Sequence, residues 1–406
     1  MPATNPAPQP KPPRPATRLL LIAADLYAAS AAVYLLLRLL TGDRFWPVRL
    51  ADTFSQWLLL PGVVLLAVAL ALRRWRRAAA LAIPAAAFLW LFGGLLLPGG
   101  RPAPVCANAD GCRTLTVMTF NAGKIVPDMA EFAALLDENS VDVVAVQELS
   151  TAFESKLESA LLDAYPYRVL YGAGVDGIGL LSRYPIVEHD LFYLKLGVFP
   201  YLQAELDVDG EPVTVFSVHP PPPAFGPGQG FRTRTIDDLP GLLARVDTSQ
   251  PVVVMGDFNA ADQSTEHRML RAAGLQDAFR EAGWSFGHTF PAAGRFFRVP
   301  MPPLVRIDYV WASEHFTPVE AHVGPGLGSD HLPVLATLRL EPRRTETLSV
   351  RPSGWEFHQP LLHEAGQRLI AGLTAAQRAP LSIAAPHPRG YTPIRQQFDS
   401  RSKGET

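Results

Sequence analysis

The chain has 406 residues, of which 48% are hydrophobic and 18% are charged, and its formal net charge is −2. This composition excludes a disordered or highly charged chain, and the length allows two or three domains. The small net charge conceals a strong asymmetry. Residues 1–104 contain 11 Lys and Arg against 3 Asp and Glu, residues 115–341 contain 15 against 29, and residues 342–406 contain 9 against 5. The acidic middle segment therefore lacks the basic footprint of an avid nucleic-acid binder.

Three apolar runs follow a Pro-rich arm at residues 1–18, which we expect to be disordered. They are Leu19–Leu40, Phe54–Leu72 and Ala78–Leu97, and each is long enough to cross a hydrocarbon layer of about 30 Å. Buried helices of a soluble domain are the alternative, but three such runs separated by short charged loops make it the weaker one. The sequence predicts three transmembrane helices within residues 19–97.

Basic residues predict the orientation of these helices. Lys11, Arg14 and Arg18 precede the first run, and four arginines lie in residues 73–77 between the second and third runs. Loops rich in Lys and Arg stay in the cytoplasm. We therefore expect a multi-pass protein of the cell membrane with a cytoplasmic N-terminus and with everything after Leu97 outside the cytoplasm.

Two cysteines, Cys106 and Cys112, lie in the predicted linker at residues 98–114. They are either two unrelated free thiols or a small disulfide loop. An extracytoplasmic position is oxidising, so the predicted topology favours the disulfide.

From Leu115 onward, short β-rich runs alternate with helical ones, and Asp209-Gly210 between two such runs signals a hairpin. This order predicts an α/β sandwich with a substantial antiparallel component over residues 115–341. Residues 342–406 are expected to form a flexible tail. The predicted strands lie in residues 115–121, 141–148, 178–182, 187–194, 202–207, 212–218, 251–255, 305–311 and 333–340, and the predicted helices in 128–139, 151–163, 233–246 and 265–273.

Polar residues recur where these strands end, which is where α/β sheets form ligand crevices. A single one of them would be an ordinary turn former, His219 could merely start a proline-rich loop, and Asp330-His331 could merely cap a turn. Polar residues at six separate strand ends are harder to explain as turn formers, and two of these ends carry two candidates each. Their carboxylates and carboxamides suit Mg²⁺ or Mn²⁺ better than Zn²⁺. The candidates are Asn121, Glu148, His219, Asp257, Asn259, Asp308, Asp330 and His331.

Seven ordered strings across residues 115–340 resemble the endonuclease/exonuclease/phosphatase superfamily, which has the deoxyribonuclease I-like fold. The resemblance implies a four-layer α/β sandwich with one metal-centred cleft. GDFN followed by SDH is its most specific part. The strings are TFNAG, VVAVQE, GLLSRYPI, FSVHP, VVMGDFNA, RIDYVW and GSDHLPV.

The resemblance also implies a role for each candidate residue. Asn121, Glu148 and Asp330 match the metal site, which would hold Mg²⁺ or Mn²⁺. The matches to the catalytic positions are His219 at the scissile phosphate, Asp257 and Asn259 at the attacking water and the phosphate, and Asp308 with His331 as an Asp–His dyad. The general base is left open.

The substrate is predicted less directly. Three apolar helices before such a domain resemble the bacterial membrane proteins associated with glycopeptide resistance, which implies a lipid-linked phosphate or pyrophosphate. The alternatives are an external nuclease, which the acidic domain does not favour, and a non-catalytic anchored binding module. The sequence gives no indication of the oligomeric state.

Overall fold

A computed structural model describes residues 15–42, 45–97, 113–226, 230–232, 234–292 and 301–341. Most of the predicted N-terminal arm, the predicted tail at 342–406, and Cys106 and Cys112 with most of their linker lie outside the described residues. The helices are α1 Pro15–Thr41, α2 Trp46–Thr53, α3 Ser55–Ala71, α4 Trp75–Phe92, α5 Met129–Glu138, α6 Thr151–Ala160, α7 Thr235–Leu243, α8 Thr265–Ala272 and α9 Ala278–Ala282. The strands are β1 Arg113–Asn121, β2 Val143–Gln147, β3 Tyr167–Tyr171, β4 Ile178–Ser182, β5 Ile186–Tyr193, β6 Pro200–Val208, β7 Glu211–Val218, β8 Ala224–Gly226, β9 Gly230–Arg232, β10 Val252–Asp257, β11 Gln276–Asp277, β12 Asp308–Ala312, β13 Phe316–Val323 and β14 Val334–Leu340.

Two six-stranded sheets form the centre of the fold. The first has the strand order β13-β14-β1-β2-β4-β3, and the second has the order β11-β12-β10-β7-β6-β5. Each sheet contains one central parallel pair, β1 with β2 and β7 with β10, and the neighbouring pairs are antiparallel. Parallel neighbours end at the same edge of a sheet, so each pair brings two strand ends together.

Three buried hydrophobic clusters stabilise the sandwich, one between the sheets and one on the outer face of each sheet. Side chains of both sheets share one core, with Val117 and Val143 on the first sheet and Val215 and Val253 on the second. The outer face of the first sheet is covered by α5 and α6, and that of the second by α7 and α8. The result is the predicted four-layer α/β sandwich, which buries both faces of each sheet.

The local signals in the sequence agree with these elements. Asp128 caps α5 by accepting hydrogen bonds from the backbone N–H groups of Ala130 and Glu131, which stabilises the first turn of a helix. Asp209 and Gly210 both have positive φ angles, 53° and 89°, in the turn between β6 and β7. The predicted hairpin at this position is confirmed.

The N-terminal helices differ in detail from the expected three spans. Within the described residues, Pro15–Thr41 and Trp75–Leu96 are each long and apolar enough to cross a membrane. The predicted second span, Phe54–Leu72, corresponds to α3, which alone is one residue short of the length taken for a membrane crossing. The preceding helix α2 meets α3 at 69°, and only the bent pair counted together would be a third span. The bend lies beside Asp52, a buried carboxylate that pairs with the Arg38 guanidinium at 3.2 Å.

The apolar helices are not separate from the sandwich. Leu59 of α3 and Phe88 and Phe92 of α4 belong to the same buried cluster as the inner faces of the sheets. The Gln56 amide and the Trp57 indole N–H both donate to the Leu304 carbonyl, at 2.9 and 2.8 Å. The sandwich therefore packs directly against the ends of the apolar helices, near Arg38, Gln56 and Phe92.

Candidate active site

The predicted site residues lie at strand ends that meet on one side of the sandwich. In the first sheet, the parallel register pairs Asn121 with Gln147 at the ends of β1 and β2. In the second, the antiparallel register pairs Asp257 with Asp308. The sheets contact each other through β1 with β10 and β12, so residues far apart in the sequence are brought to one place.

Asp257 is the centre of the arrangement. Its buried carboxylate accepts a hydrogen bond from the Asn121 side-chain amide at 3.0 Å and from the Asn259 backbone N–H at 2.8 Å. The Nε2 atoms of His219 and His331 lie 3.7 and 3.8 Å from its Oδ2. Burial raises the pKa of Asp257, as does the negative charge of Asp308, while the two imidazoles lower it.

The backbone around Asp257 is unusual. Gly256 has a φ of 153°, and a Cβ at this position would collide with the Val218 carbonyl oxygen of the parallel neighbour. Asn259 and Glu148 both have a φ of 50°, in a left-handed region that side chains other than glycine enter infrequently. Such conformations concentrate at functional sites because they aim a side chain that regular structure could not aim.

His331 and Asp308 form a close pair. The His331 Nδ1 lies 2.9 Å from Asp308 Oδ2 and 3.1 Å from Oδ1. Burial alone would lower the pKa of His331, but the charges of Asp308 and Asp257 outweigh it and raise the pKa to about 10. The His331 imidazole is therefore protonated at neutral pH.

His219 is in the opposite electrostatic state. It is buried and its ring stacks on Phe199, with 4.8 Å between centroids and 4° between planes. Burial lowers the pKa of His219, although Asp257 opposes this change, and the positive charge of His331 lowers it further. One neutral and one protonated imidazole thus flank the same carboxylate, and environments that separate two pKa values in this way characterise acid–base sites.

The three residues matched to the metal site meet around one turn. The Asn121 Oδ1 accepts a hydrogen bond from Gly123 N at 2.9 Å, and the Glu148 carbonyl accepts one from Lys124 N at 3.2 Å. Asp330 is exposed, and its Oδ1 lies 3.0 Å from the place where a Cβ on Gly123 would be. Burial raises the pKa of Glu148, and the nearby Lys124 opposes this shift.

The chemistry of this donor set fits a divalent cation. Ligand atoms of Asp257, Asp308 and His331 lie within 4.8 Å of one another, but a protonated His331 has no lone pair for a metal ion and already balances part of this charge. Glu148 Oε1 lies 3.9 Å from the His219 ring nitrogen, and Asp330 and Asn121 add further oxygen donors at the open side of the site. Several carboxylates thus converge there, and a hard cation bound by the oxygens of Glu148, Asp330 and Asn121 would reduce their mutual repulsion.

A second cluster of similar composition does not fit a metal. Ligand atoms of Asp262, His267 and Asp277 also lie within 4.8 Å of one another. The Arg306 guanidinium donates to both carboxylates at 2.6–2.9 Å, and Arg280 donates from Nε to Asp262 at 2.8 Å. Burial would raise the pKa values of Asp262 and Asp277, but Arg306 holds both well below the usual range. The two arginines already supply the positive charge.

Several contributors to the site were missed in the sequence. Phe199 stacks on His219, and the Phe290 ring lies 4.9 Å from that of His331. The Ser329 hydroxyl donates to the Asn121 carbonyl at 2.7 Å and accepts from His331 N at 3.1 Å. No local pattern marks the two phenylalanines. The SDH string could have indicated Ser329, because a serine two residues before a turn residue often caps it.

The family model described as "Endonuclease/Exonuclease/phosphatase family" matches residues 118–331, a range that contains all eight candidate residues and more than half of the chain. The chain belongs to the endonuclease/exonuclease/phosphatase family. Members of this family hydrolyse phosphoester bonds with the help of divalent metal ions, and the chain is a hydrolase of that kind. The motifs interpreted from the sequence as a resemblance to this family are thereby confirmed as family membership.

Individual relatives are more distant. The uncharacterized protein YbhP of Escherichia coli K12 is 26% identical over 215 residues, which cover 47% of this chain and 78% of YbhP. An endonuclease/exonuclease/phosphatase from Beutenbergia cavernae is 24% identical with a TM-score of 0.45, over 56% of this chain and 72% of that chain. Sphingomyelinase C from Streptomyces griseocarneus is 21% identical with a TM-score of 0.42, over 55% of this chain and 99% of that chain.

Proposed function

We propose that the protein is a membrane-anchored phosphoesterase whose catalytic domain lies outside the cytoplasm and hydrolyses a phosphate ester or pyrophosphate, with a lipid-linked phosphate as the preferred substrate class. The observation that carries the reaction is the position of the buried Asp257 carboxylate between a neutral and a protonated imidazole. This arrangement offers an acceptor for the proton of a water molecule and a cationic donor for phosphate oxygen within one small site.

Each residue has a role that its surroundings support. Asp257 accepts a hydrogen bond from water and orients it for in-line attack. Protonated His331 donates to a phosphoryl oxygen as negative charge develops there, and Asp308 holds its ring and keeps it charged. The Asn259 amide, which lies 3.3 Å from Asp257 Oδ2, and the His219 ring complete the polar wall of the site.

Glu148, Asp330 and Asn121 are proposed to hold the divalent ion, with Mg²⁺ or Mn²⁺ as the ion that suits oxygen ligands. A bound divalent cation neutralises charge on phosphoryl oxygens. In the described structure the Asn121 oxygen is already engaged by Gly123 N and its amide nitrogen faces Asp257. Asn121 is therefore proposed to position Asp257 as well as to face the ion.

The membrane anchor supports a lipid-linked substrate. Tethering an enzyme to a bilayer shortens the search only for substrates in the same bilayer. An external nuclease is the second candidate, but residues 115–341 carry 29 acidic against 15 basic residues, which opposes binding to a polyanion. A non-catalytic binding module is the third, and the presence of a complete set of site residues argues against it.

A substrate panel tests the proposed activity. The full-length protein, reconstituted in lipid vesicles with Mg²⁺, is offered a polyprenyl pyrophosphate, phospholipids, DNA and bis(p-nitrophenyl) phosphate. We expect hydrolysis of a lipid phosphate and of the generic ester, and loss of both in EDTA. Full activity in EDTA, or turnover of DNA alone, would contradict the proposal.

The topology is tested separately. An alkaline phosphatase fused after Gly111 is expected to be active because it would lie outside the cytoplasm, and an inactive fusion would overturn the orientation. In the same compartment Cys106 and Cys112 are expected to be disulfide-bonded. They should then resist thiol labelling of the non-reduced protein, and efficient labelling would refute the bond.

A further inference from the structure

Three segments connect the candidate active site to the outer ends of the apolar helices. The first runs from His219 to Phe225, whose ring lies 6.0 Å from that of Trp46 at the start of α2. The second runs from Asn259 to Gln263, whose side-chain oxygen accepts a hydrogen bond from Arg38 at 3.2 Å. Because one residue spans at most about 3.6 Å, the six residues from His219 to Phe225 span at most about 22 Å and the four from Asn259 to Gln263 at most about 14 Å.

The third segment runs from His331 through its neighbour Phe290 to Phe286. The Phe286 ring lies 6.2 Å from that of Trp57 on α3 and 6.1 Å from that of Phe92 on α4. Between the two phenylalanines, the Thr289 hydroxyl accepts hydrogen bonds from the backbone of the segment that ends in Asp308. These packed contacts therefore fix the distance between the candidate active site and the ends of the apolar helices.

Four exposed aromatic side chains lie where the sandwich meets the apolar helices. Phe45 and Trp46 lie at the start of α2. Phe225 and Trp284 belong to the sandwich and are 67% and 66% exposed. The Trp284 indole N–H lies 3.4 Å from the Leu96 carbonyl that follows α4. Both domain side chains therefore lie at the level where the helices end. Aromatic residues at that level are typical of the membrane–water interface.

The bend between α2 and α3 adds to this picture. If α3 crosses the membrane, the 69° bend lays α2 close to the membrane plane. The backbone of α2 is in contact with β9, the second strand of the hairpin that carries Phe225. The hairpin and α2 thus form one surface beside the segment that begins at His219.

We propose that Phe45, Trp46, Phe225 and Trp284 form an interfacial lip that sits in the headgroup layer of the bilayer, and that the active site takes its substrate from the same leaflet. The inference rests on the proposed function and deepens it, because it names the physical source of the substrate. The occupant of the lip is the lipid of that leaflet. Burial of the four aromatic side chains among the lipids holds the lip in the headgroup layer, since the acidic domain is not attracted by anionic headgroups.

A comparison of substrate in cis and in trans tests the source. Full-length protein is reconstituted in phosphatidylcholine vesicles that also contain a long-chain polyprenyl pyrophosphate or a headgroup-labelled phosphatidylcholine. In the parallel sample the lipid probe is placed in separate, protein-free vesicles. We expect hydrolysis of at least one lipid probe to be ten or more times faster in cis, and equal rates in cis and in trans would overturn the inference.

Variants test the lip itself. The double variant Phe225→Ser, Trp284→Ser should lower the rate on the lipid probe relative to bis(p-nitrophenyl) phosphate by at least about tenfold, because losing the burial of even one large apolar side chain costs about tenfold. Tyr167→Ser is the matched control, since this partly exposed aromatic lies at the end of β3 that pairs with Ser182, away from the site end at Tyr171. It should leave the ratio unchanged.

The outcomes separate the two proposals. No hydrolysis of any probe would refute the proposed function itself. Hydrolysis of bis(p-nitrophenyl) phosphate without turnover of either lipid in cis would leave a phosphoesterase but overturn the lip and its substrate source. If the double variant keeps the wild-type ratio of lipid hydrolysis to bis(p-nitrophenyl) phosphate hydrolysis, the proposed lip is refuted. Activity on the soluble ester in the same sample shows that the catalytic domain of the variant is folded.

Discussion

His331 Nδ1 lies 2.9 Å from Asp308 Oδ2, and both residues are buried. The two come from different elements: Asp308 begins β12 of the second sheet, and His331 precedes β14 of the first. The pair therefore joins the two sheets at the candidate active site, and its charge state depends on their correct stacking.

The first prediction concerns this pair. His331→Ala removes a cationic donor to the phosphoryl oxygens and should lower kcat by about 10²–10³. Asp308→Asn should also lower kcat, because the pKa of His331 depends on the Asp308 charge. Since both act through one imidazole, Asp308→Asn should add little further loss to the His331→Ala protein. Rates of the two single variants and the double variant measure this, and fully multiplicative losses would show independent roles.

The second prediction separates metal binding from water activation. Glu148→Gln removes a negative ligand, so it should weaken metal affinity, and raised Mg²⁺ should restore part of the rate. Asp257→Asn keeps the size of the side chain but loses the charge that orients water, so raised Mg²⁺ should not restore it. Mg²⁺ titrations of kcat on bis(p-nitrophenyl) phosphate check both. Wild-type rates from the Asp257→Asn protein would remove Asp257 from the mechanism.

The third prediction concerns the buried ion cluster of Arg306, Asp262 and Asp277. Arg306→Met should lower the free energy of unfolding by about 3–5 kcal/mol, because it leaves buried carboxylates without their main partner. Lys195→Met is the control, since the Lys195 ammonium is mostly exposed and lies 3.5 Å from Asp237, and it should cost about 1 kcal/mol or less. Thermal or denaturant unfolding of the purified proteins measures the difference, and similar losses for both would contradict a structural role of the cluster.

The fourth prediction concerns pH and His288, which lies between the sandwich and α3, with its ring 5.3 Å from that of Trp57. Burial lowers the pKa of His288 to about 4, Arg306 lowers it further, and the Pro303 carbonyl and Asp262 oppose the shift. An unfolded histidine titrates near 6.5. Between these values the unfolded chain binds more protons, so acidification from about pH 6.5 to about pH 4 should destabilise the fold, by at most about 3 kcal/mol.

His288→Gln removes this titration and should flatten the dependence in that pH range. Melting temperatures of both proteins at several pH values between 4 and 7 provide the test. Other groups titrate in the same range, so the informative quantity is the difference between the two curves. Parallel curves would mean that His288 does not contribute.

His219 and Asp257 could be expected at one edge from the sequence, because the parallel strands β7 and β10 end at the same edge of their sheet. Asp308 lies beside Asp257 because β12 runs antiparallel to β10, so that the start of β12 adjoins the end of β10. The stack of Phe199 on His219 could not be predicted in this way, since it joins residues from two different strand ends that no regular spacing in the sequence relates.

Two short elements could not be read from the sequence. The stretch after His219 was interpreted as a proline-rich loop, but Ala224–Gly226, which follows the four consecutive prolines, pairs with Gly230–Arg232. The second apolar run corresponds to α3, but the short helix α2 before it was not predicted. The buried Asp52 at the end of α2 pairs with Arg38 on α1, and no pattern within the apolar run could reveal that contact.

The position of β14 has a consequence for how the protein is made. This last strand inserts between β13 and β1, so that Arg113 at the start of the domain pairs with Leu340 at its end. Synthesis proceeds from the N-terminus, so α1 to α4 emerge before β14, the last strand of the described residues, completes the first sheet. His331 lies directly before β14 and can reach Asp308 only once this part of the chain has been made. The candidate site is therefore assembled only at the end of the synthesis of the sandwich.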